Sequence, residues 1–395
     1  MVIEPKVKGF ICITAHPDGC EENVRRAVEY SLSHKGSADN GPKNVLVIGS
    51  STGYGLASRI TAAFAFGAAT VGVAYERPSS GRRTASAGWY NNAAFEKYAA
   101  KYGVPFASLN GDAFSDEMKA QTIEAIKSTM PGKKLDMIVY SVAAPKRTDP
   151  RTGEVYSSVL KPIGQPYSEK SVDFHTGKVS SVSIDPATDE EIAATVKVMG
   201  GEDWLMWINA LKENDLIAEN AVTLAYSYIG PELTHAVYKD GTIGRAKIDL
   251  EEKAREIDKL LSDIGGKAYI SVNKALVTQS SAAIPVVPLY ISILYKLMKE
   301  NGTHEDCIMQ MNRLFHRIYD SESVKDVPTD ECGRIRMDDL EMADDIQSKL
   351  KDVWSIISSD NIEEITDIKG YRDDFYSLFG FGLDNVDYSR DIADF

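Results

Sequence analysis

Short apolar runs alternate with stretches of helical spacing along most of the chain. Residues 45–48, 70–75, 106–109, 135–140, 222–228 and 268–272 are compact runs, as expected of strands buried on both faces of a parallel sheet. Between them, apolar positions three and four apart predict helices over residues 21–32, 89–102, 115–128 and 188–211. Another helix opens with Leu56, Ile60, Ala63 and Phe64. Leu250, Ala254, Ile257, Leu261 and Ile264 mark an amphipathic helix, and an apolar one runs from Ala282 onward. Strands alternating with helices in this way predict an α/β fold with a doubly wound, Rossmann-type parallel sheet. The rhythm breaks over residues 146–185, which are turn-rich and read as an inserted β-hairpin or loop. Beyond about Gly302 the chain is more charged, and a helical cap over the end of the sheet is expected.

At 395 residues the chain can bury a large core. Its net charge of −14 disfavours nucleic acid and anionic membranes as partners, since it repels a phosphate backbone. Cys12, Cys20, Cys307 and Cys332 are too scattered for a disulfide framework, and none sits in a CxxC, so no metal is expected. The N-terminal stretch lacks the basic-then-apolar layout of a signal peptide. The longest apolar stretch, residues 284–298, is too short to span a bilayer and contains Pro285, Pro288 and Lys296. A cytoplasmic protein is expected.

The candidate chemistry gathers at strand ends. Residues 44–55, NVLVIGSSTGYG, run from a buried strand through Gly49, Gly53 and Gly55 into a helix. That layout aims bare N–H groups and a helix N-terminus at a phosphate. The spacing is G-x3-G-x-G, as in short-chain dehydrogenases, and an ordinary tight turn is the competing account. Glu76 ends the second run, 21 residues past Gly55, where an acidic residue accepts hydrogen bonds from the adenosine ribose. Arg77, Arg82 and Arg83 follow and offer a 2′-phosphate site instead, so NADH is favoured with NADPH still open. Asp112, after the third run, suits the adenine face or else caps the next helix. Ser141, Val142, Ala143 and Ala144, after the fourth, leave room for a nicotinamide ribose. His16 and Cys20 in HPDGC invite a metal or nucleophile reading, but no third ligand or base is near, and a turn capping the first helix is expected.

After the fifth run, Tyr238 and Lys247 are separated by eight residues. A phenol beside an ammonium is a usable proton donor and anion stabiliser, the cation lowering the phenol pKa. The short-chain dehydrogenase pair is YxxxK, one helical turn, whereas Gly241 and Gly244 here require a loop between the two side chains. Yx8K occurs with HPDGC, GSSTGYG, GWYNN, GDAFSDE, VYSVAAPKRTDP, VMGGEDW, VNKALVTQSSAAIP and LYKLMKE. Together they resemble the trans-2-enoyl thioester reductases of the FabV type, in order and as far as DDFYSLFGFGLDNVDY. AYSYIGPE and GYRDDF point to the trans-2-enoyl-CoA reductase branch.

The resemblance implies that Tyr238 is the catalytic tyrosine, bonding the thioester carbonyl and supplying the proton, and that Lys247 holds the nicotinamide ribose and assists it. It implies NADH contacts from Gly49, Ser50, Ser51, Thr52, Gly53, Tyr54, Tyr75, Glu76, Asp112, Ala113, Val142, Ala143, Lys247, Leu276, Val277 and Thr278. Tyr228 matches a substrate-contacting tyrosine, and Tyr295 an aromatic ring beside the acyl chain. A monomer using NADH without flavin is implied, acting on enoyl-CoA or enoyl-acyl carrier protein. The chain then reads as one unit: an N-terminal segment (1–43), NAD-binding βα units (44–145), an insertion and helix (146–218), a catalytic and acyl-site segment (219–301) and a C-terminal cap (302–395). Two other readings share parts of this pattern. A ketoreductase of the short-chain dehydrogenase class would normally carry YxxxK, and a non-catalytic NAD-sensing module would need only the glycine turn and Glu76.

Overall fold

The computed structural model describes residues 2–9, 11–36 and 40–392. Seven parallel strands form its central sheet: β1 (Asn44–Ile48), β2 (Ala69–Ala74), β3 (Phe106–Asn110), β4 (Leu135–Tyr140), β5 (Ile217–Ser227), β6 (Lys267–Val272) and β7 (Arg334–Arg336). The spatial order is β3-β2-β1-β4-β5-β6-β7. The chain starts in the middle, builds to one edge, then returns beside β1 and builds to the other. Between β1 and β4 the winding reverses, which opens a crevice at the carboxyl ends of the strands.

In chain order the helices are α1 (Pro17–Ser33), α2 (Gly53–Ile60), α3 (Ala87–Tyr102), α4 (Asp116–Thr129), α5 (Asp189–Met199), α6 (Glu202–Glu213), α7 (Thr242–Leu260), α8 (Val287–Glu300), α9 (Cys307–Tyr319), α10 (Asp344–Ile356), α11 (Ile362–Ile365) and α12 (Ile368–Ser377). Side chains alternate across a strand. Val45 and Val47 of β1 therefore join a core with α1, α2, α3 and α9, while Leu46 and Ile48 join one with α4, α6 and α7. A third core, built on α8, α10 and α12 and the hairpin Tyr167–Asp173/Lys178–Ile184, includes Tyr238, Leu276 and Val277.

Several expectations need correction. Residues 188–211 form two helices, not one, because the chain breaks at Gly200 and Gly201. A Cβ on Gly200 would lie 2.3 Å from Asp249 Oδ2, and one on Gly201 would lie 2.5 Å from Lys253 Cβ, so the break lets α7 pack closely. The apolar helix begins at Val287, not Ala282; Val286, at φ 75°, sits ahead of it in a backbone region α-helices do not use. The turn-rich insertion holds a second hairpin, Lys146–Thr148 with Val155–Ser157. The charged section beyond Gly302 supplies more than a cap: α9 covers a sheet face and β7 extends the sheet.

HPDGC behaves as a helix start. His16 is the N-cap of α1 and accepts from Gly19 N at 3.4 Å. A Cβ on Gly19 would lie 1.8 Å from Gly380 O, and His16 N donates to Phe379 O, so α1 is clasped by the C-terminal segment. All four thiols are free, and no group of three metal-ligating residues occurs among the described residues. No helix among them is long and apolar enough to cross a membrane.

Candidate active site

The glycine turn leaves β1 in a conformation that only glycine adopts easily. Gly49 has φ 88°, and a Cβ there would lie 2.1 Å from Ser141 O; one on Gly55 would lie 1.8 Å from Gly49 O. At Gly53 a Cβ would meet only Thr278 Cγ2, at 3.8 Å, so this position faces open space between the turn and the run after β6. Thr52, the N-cap of α2, gives no side-chain cap, and the first N–H groups of α2 stay available to an anion. The arrangement fits a dinucleotide pyrophosphate.

Glu76, just past β2, is half-buried and tied to that turn. Ser51 Oγ donates to one carboxylate oxygen at 2.6 Å and Ser86 Oγ to the other at 2.5 Å. A carboxylate has lone pairs left for ribose hydroxyls. Tyr75 beside it is 78% exposed at the rim of the crevice. Asp112 does not cap α4; Ser115 does, accepting from Met118 N at 3.1 Å, while Asp112 Oδ1 accepts from Phe114 N. The turn around Ala113 is pinned from below. Lys119 Nζ donates to Ala113 O and Phe114 O, and Trp207 Nε1 donates to Ala113 O at 3.1 Å. Lys119 in turn is paired with buried Asp203 at 2.8 Å, which also accepts from Tyr140 Oη. Val142 and Ala143 lie two and three residues past β4, and Leu276, Val277 and Thr278 four to six residues past β6.

Tyr238 lies in the turns between β5 and α7, and Lys247 on the second turn of α7. The Tyr238 ring meets that of Tyr228 edge to face, with centroids 4.8 Å apart. Tyr238 is 8% exposed, and its hydroxyl has no hydrogen-bond partner among the described residues. Lys247 Nζ donates to Tyr226 O at 2.9 Å, and burial holds its pKa down at about 8, with Glu251 opposing. The expected acidification of Tyr238 by Lys247 is absent. Burial pushes the Tyr238 phenol up, and the charge of Glu341 pushes it further. The phenol is thus held protonated, as a hydrogen-bond donor must be.

Glu341 is a residue the sequence pattern did not single out. It is fully buried in the segment after β7. Its Oε1 accepts from Tyr228 Oη at 3.0 Å and from Tyr290 Oη at 2.6 Å, and its Oε2 accepts from Ala275 N at 2.6 Å. Lys274 is another, buried beside it, donating to Ala275 O and held at about pKa 8 by burial.

Tyr295, on α8, is 1% exposed. Its hydroxyl accepts from Val277 N at 3.2 Å, and its ring lies between the ammonium groups of Lys274 and Lys299, edge-on to His304. It touches the backbone of the cofactor run from behind.

Comparison with known proteins agrees with this layout. A family model described as the NAD(P)H binding domain of trans-2-enoyl-CoA reductase matches residues 2–81, and one described as the trans-2-enoyl-CoA reductase catalytic region matches residues 83–319. A third, described as an enoyl reductase FAD binding domain, matches residues 329–392. In that segment Ile346, Leu350, Tyr371 and Phe375 are packed in the core. An NADH-dependent enoyl-acyl-carrier-protein reductase of Coxiella burnetii is 58% identical over 99% of this chain and 96% of its own length. An NADH-dependent trans-2-enoyl-CoA reductase of Ruminiclostridium cellulolyticum is 56% identical over 99% and 98%. The crystal structure of Treponema denticola trans-2-enoyl-CoA reductase in complex with NAD superposes with a TM-score of 0.95 at 47% identity, covering 100% of this chain and 99% of that one. Sequence and fold agree from end to end, and the chain belongs to the trans-2-enoyl-CoA reductase family.

Proposed function

We propose that this protein reduces the trans-2 double bond of enoyl thioesters, with NADH as reductant. The reading is carried by Tyr238: a phenol kept protonated by burial, with its hydroxyl unpartnered among the described residues, against Tyr228 at the carboxyl end of the sheet. When bound, NADH supplies a hydride to the β-carbon of the substrate. Negative charge then develops on the thioester oxygen, and Tyr238 is the donor that meets it. Protonation at the α-carbon gives the saturated acyl thioester. Lys247, anchored on the Tyr226 carbonyl, retains N–H donors for the nicotinamide ribose. The glycine turn and α2 hold the pyrophosphate, and Glu76 and Asp112 face the adenosine. In this reading α8 backs the acyl end of the crevice, with Tyr295 reaching it through Val277.

The test is NADH oxidation with crotonyl-CoA, repeated with crotonyl-acyl carrier protein. Consumption of NADH with formation of butyryl thioester is expected, and no turnover with either carrier would overturn the reading. The enzyme acts here as a cytoplasmic monomer, checked by sedimentation velocity and cell fractionation.

A further inference from the structure

Two phenols meet edge to face at the reacting end of the crevice, yet they are not equivalent. Tyr228 gives its hydroxyl proton to Glu341 Oε1 at 3.0 Å. Tyr238 gives its proton to nothing among the described residues. A hydroxyl has one proton and two lone pairs, so a tyrosine donating to a carboxylate presents only acceptors on its other side. We propose that Glu341 is a positioning residue that takes the Tyr228 proton out of the site, leaving Tyr238 as the phenol of the pair free to donate to the thioester oxygen. This rests on the assignment of Tyr238 above.

The geometry makes Glu341 suited to that task. It is wholly buried, and each of its oxygens is engaged: Oε1 by Tyr228 and Tyr290, Oε2 by the Ala275 N–H. An ionised carboxylate only accepts, so neither phenol can turn its proton away without leaving a buried charge short of a partner. The neighbouring ammonium, Lys274, donates to Ala275 O and leaves those oxygens to the three donors. Glu341 enters from the segment after β7, Tyr228 follows β5, and Ala275 follows β6. One side chain therefore fixes two strand ends at the site.

Glutamine at this position has one acceptor oxygen and an N–H face. With its oxygen on the Ala275 N–H, its amide donates to the phenols and frees the Tyr228 proton to compete with Tyr238. The experiment is a double-mutant cycle on kcat between Glu341→Gln and Tyr228→Phe, with thermal melting alongside. Where Tyr228 is present, Glu341→Gln should lower kcat ~10-fold or more, the scale of a hydrogen bond to a charged group. In the Tyr228→Phe background, which has no proton to release, the same change should leave kcat nearly unaltered. Reductions that multiply, or a Glu341→Gln enzyme with wild-type kcat, would overturn the proposal; a purely structural Glu341 gives the former. Should Glu341→Gln not fold, Glu341→Asp, whose shorter arm withdraws the acceptor from Tyr228, runs the same cycle with the same criteria. Tyr238→Phe, measured separately, distinguishes the two levels. If it keeps turnover, the assignment of Tyr238 fails; if it is inactive while the cycle is multiplicative, only the role of Glu341 fails.

Discussion

Tyr238 carries the sharpest expectation at the scale of single residues. Removing one donor to a developing oxyanion typically costs ~10²–10³ in turnover. Tyr238→Phe should lose that much kcat while titration by NADH fluorescence shows binding intact. Lys247 gives a pH signature. Its pKa is lowered to about 8, so the ammonium is present below that pH and lost above it. The kcat/KM for NADH, which reports the free enzyme, should fall as pH rises through about 8. Lys247→Arg, which stays charged, should move that limb upward; a limb that does not move belongs to Lys274, which is also held at about 8. Glu76 is expected to set cofactor choice. Its carboxylate, held by Ser51 and Ser86, would face a 2′-phosphate with like charge, so kcat/KM should favour NADH over NADPH. Glu76→Ser should narrow the gap, and higher efficiency with NADPH in the wild type would contradict this. Glu76 and Tyr238 were legible because strand ends and motif spacing mark them. Glu341 was not: it sits in an acidic stretch, DDLEMADD, where nothing separates a buried carboxylate from solvated ones. The direction of the Tyr238 shift was hidden too, since desolvation depends on neighbours far away in sequence.

Among the elements, the six strands with continuous apolar runs were legible from the sequence, five of them because their runs are largely buried, whereas β3 lies half-exposed at the sheet edge. β7 was invisible because Arg334-Ile335-Arg336 offers one apolar residue between two arginines engaged with Glu251, Asp330 and Asp338. The α5–α6 break was missed because helical periodicity runs through Gly200 and Gly201, and only packing on α7 demands a break there. A coupling between α4 and α6 is open to measurement. Asp203 neutralises Lys119, whose ammonium pins the turn carrying Asp112 and Ala113. Stranding a buried charge by deleting its partner costs about 3–5 kcal/mol. Asp203→Ala should lower stability by that order in denaturant titration and raise KM for NADH as the turn loosens. Unchanged cofactor affinity in a folded variant would confine the pair to the core.

On the scale of the whole molecule, sites and supports come from segments far apart in the chain. The clasp of α1 by residues 379–381 leaves no room for a side chain at Gly19, where a Cβ would lie 1.8 Å from Gly380 O. Gly19→Ala should therefore lower the melting temperature, and an unaltered one would mean that the two segments separate at little cost. The parallel sheet pairs strands through long connections, a topology that folds slowly. β7 and the Glu341 segment are the last parts of this arrangement along the chain. During synthesis, once β1 to β6 are made and β7 is not, β6 shows an unpaired edge. Tyr228 at that moment has no carboxylate to receive its proton. A nascent chain halted before residue 334 would then carry an exposed strand edge and lack the carboxylate that ties Tyr228, a state open to chaperones and proteases.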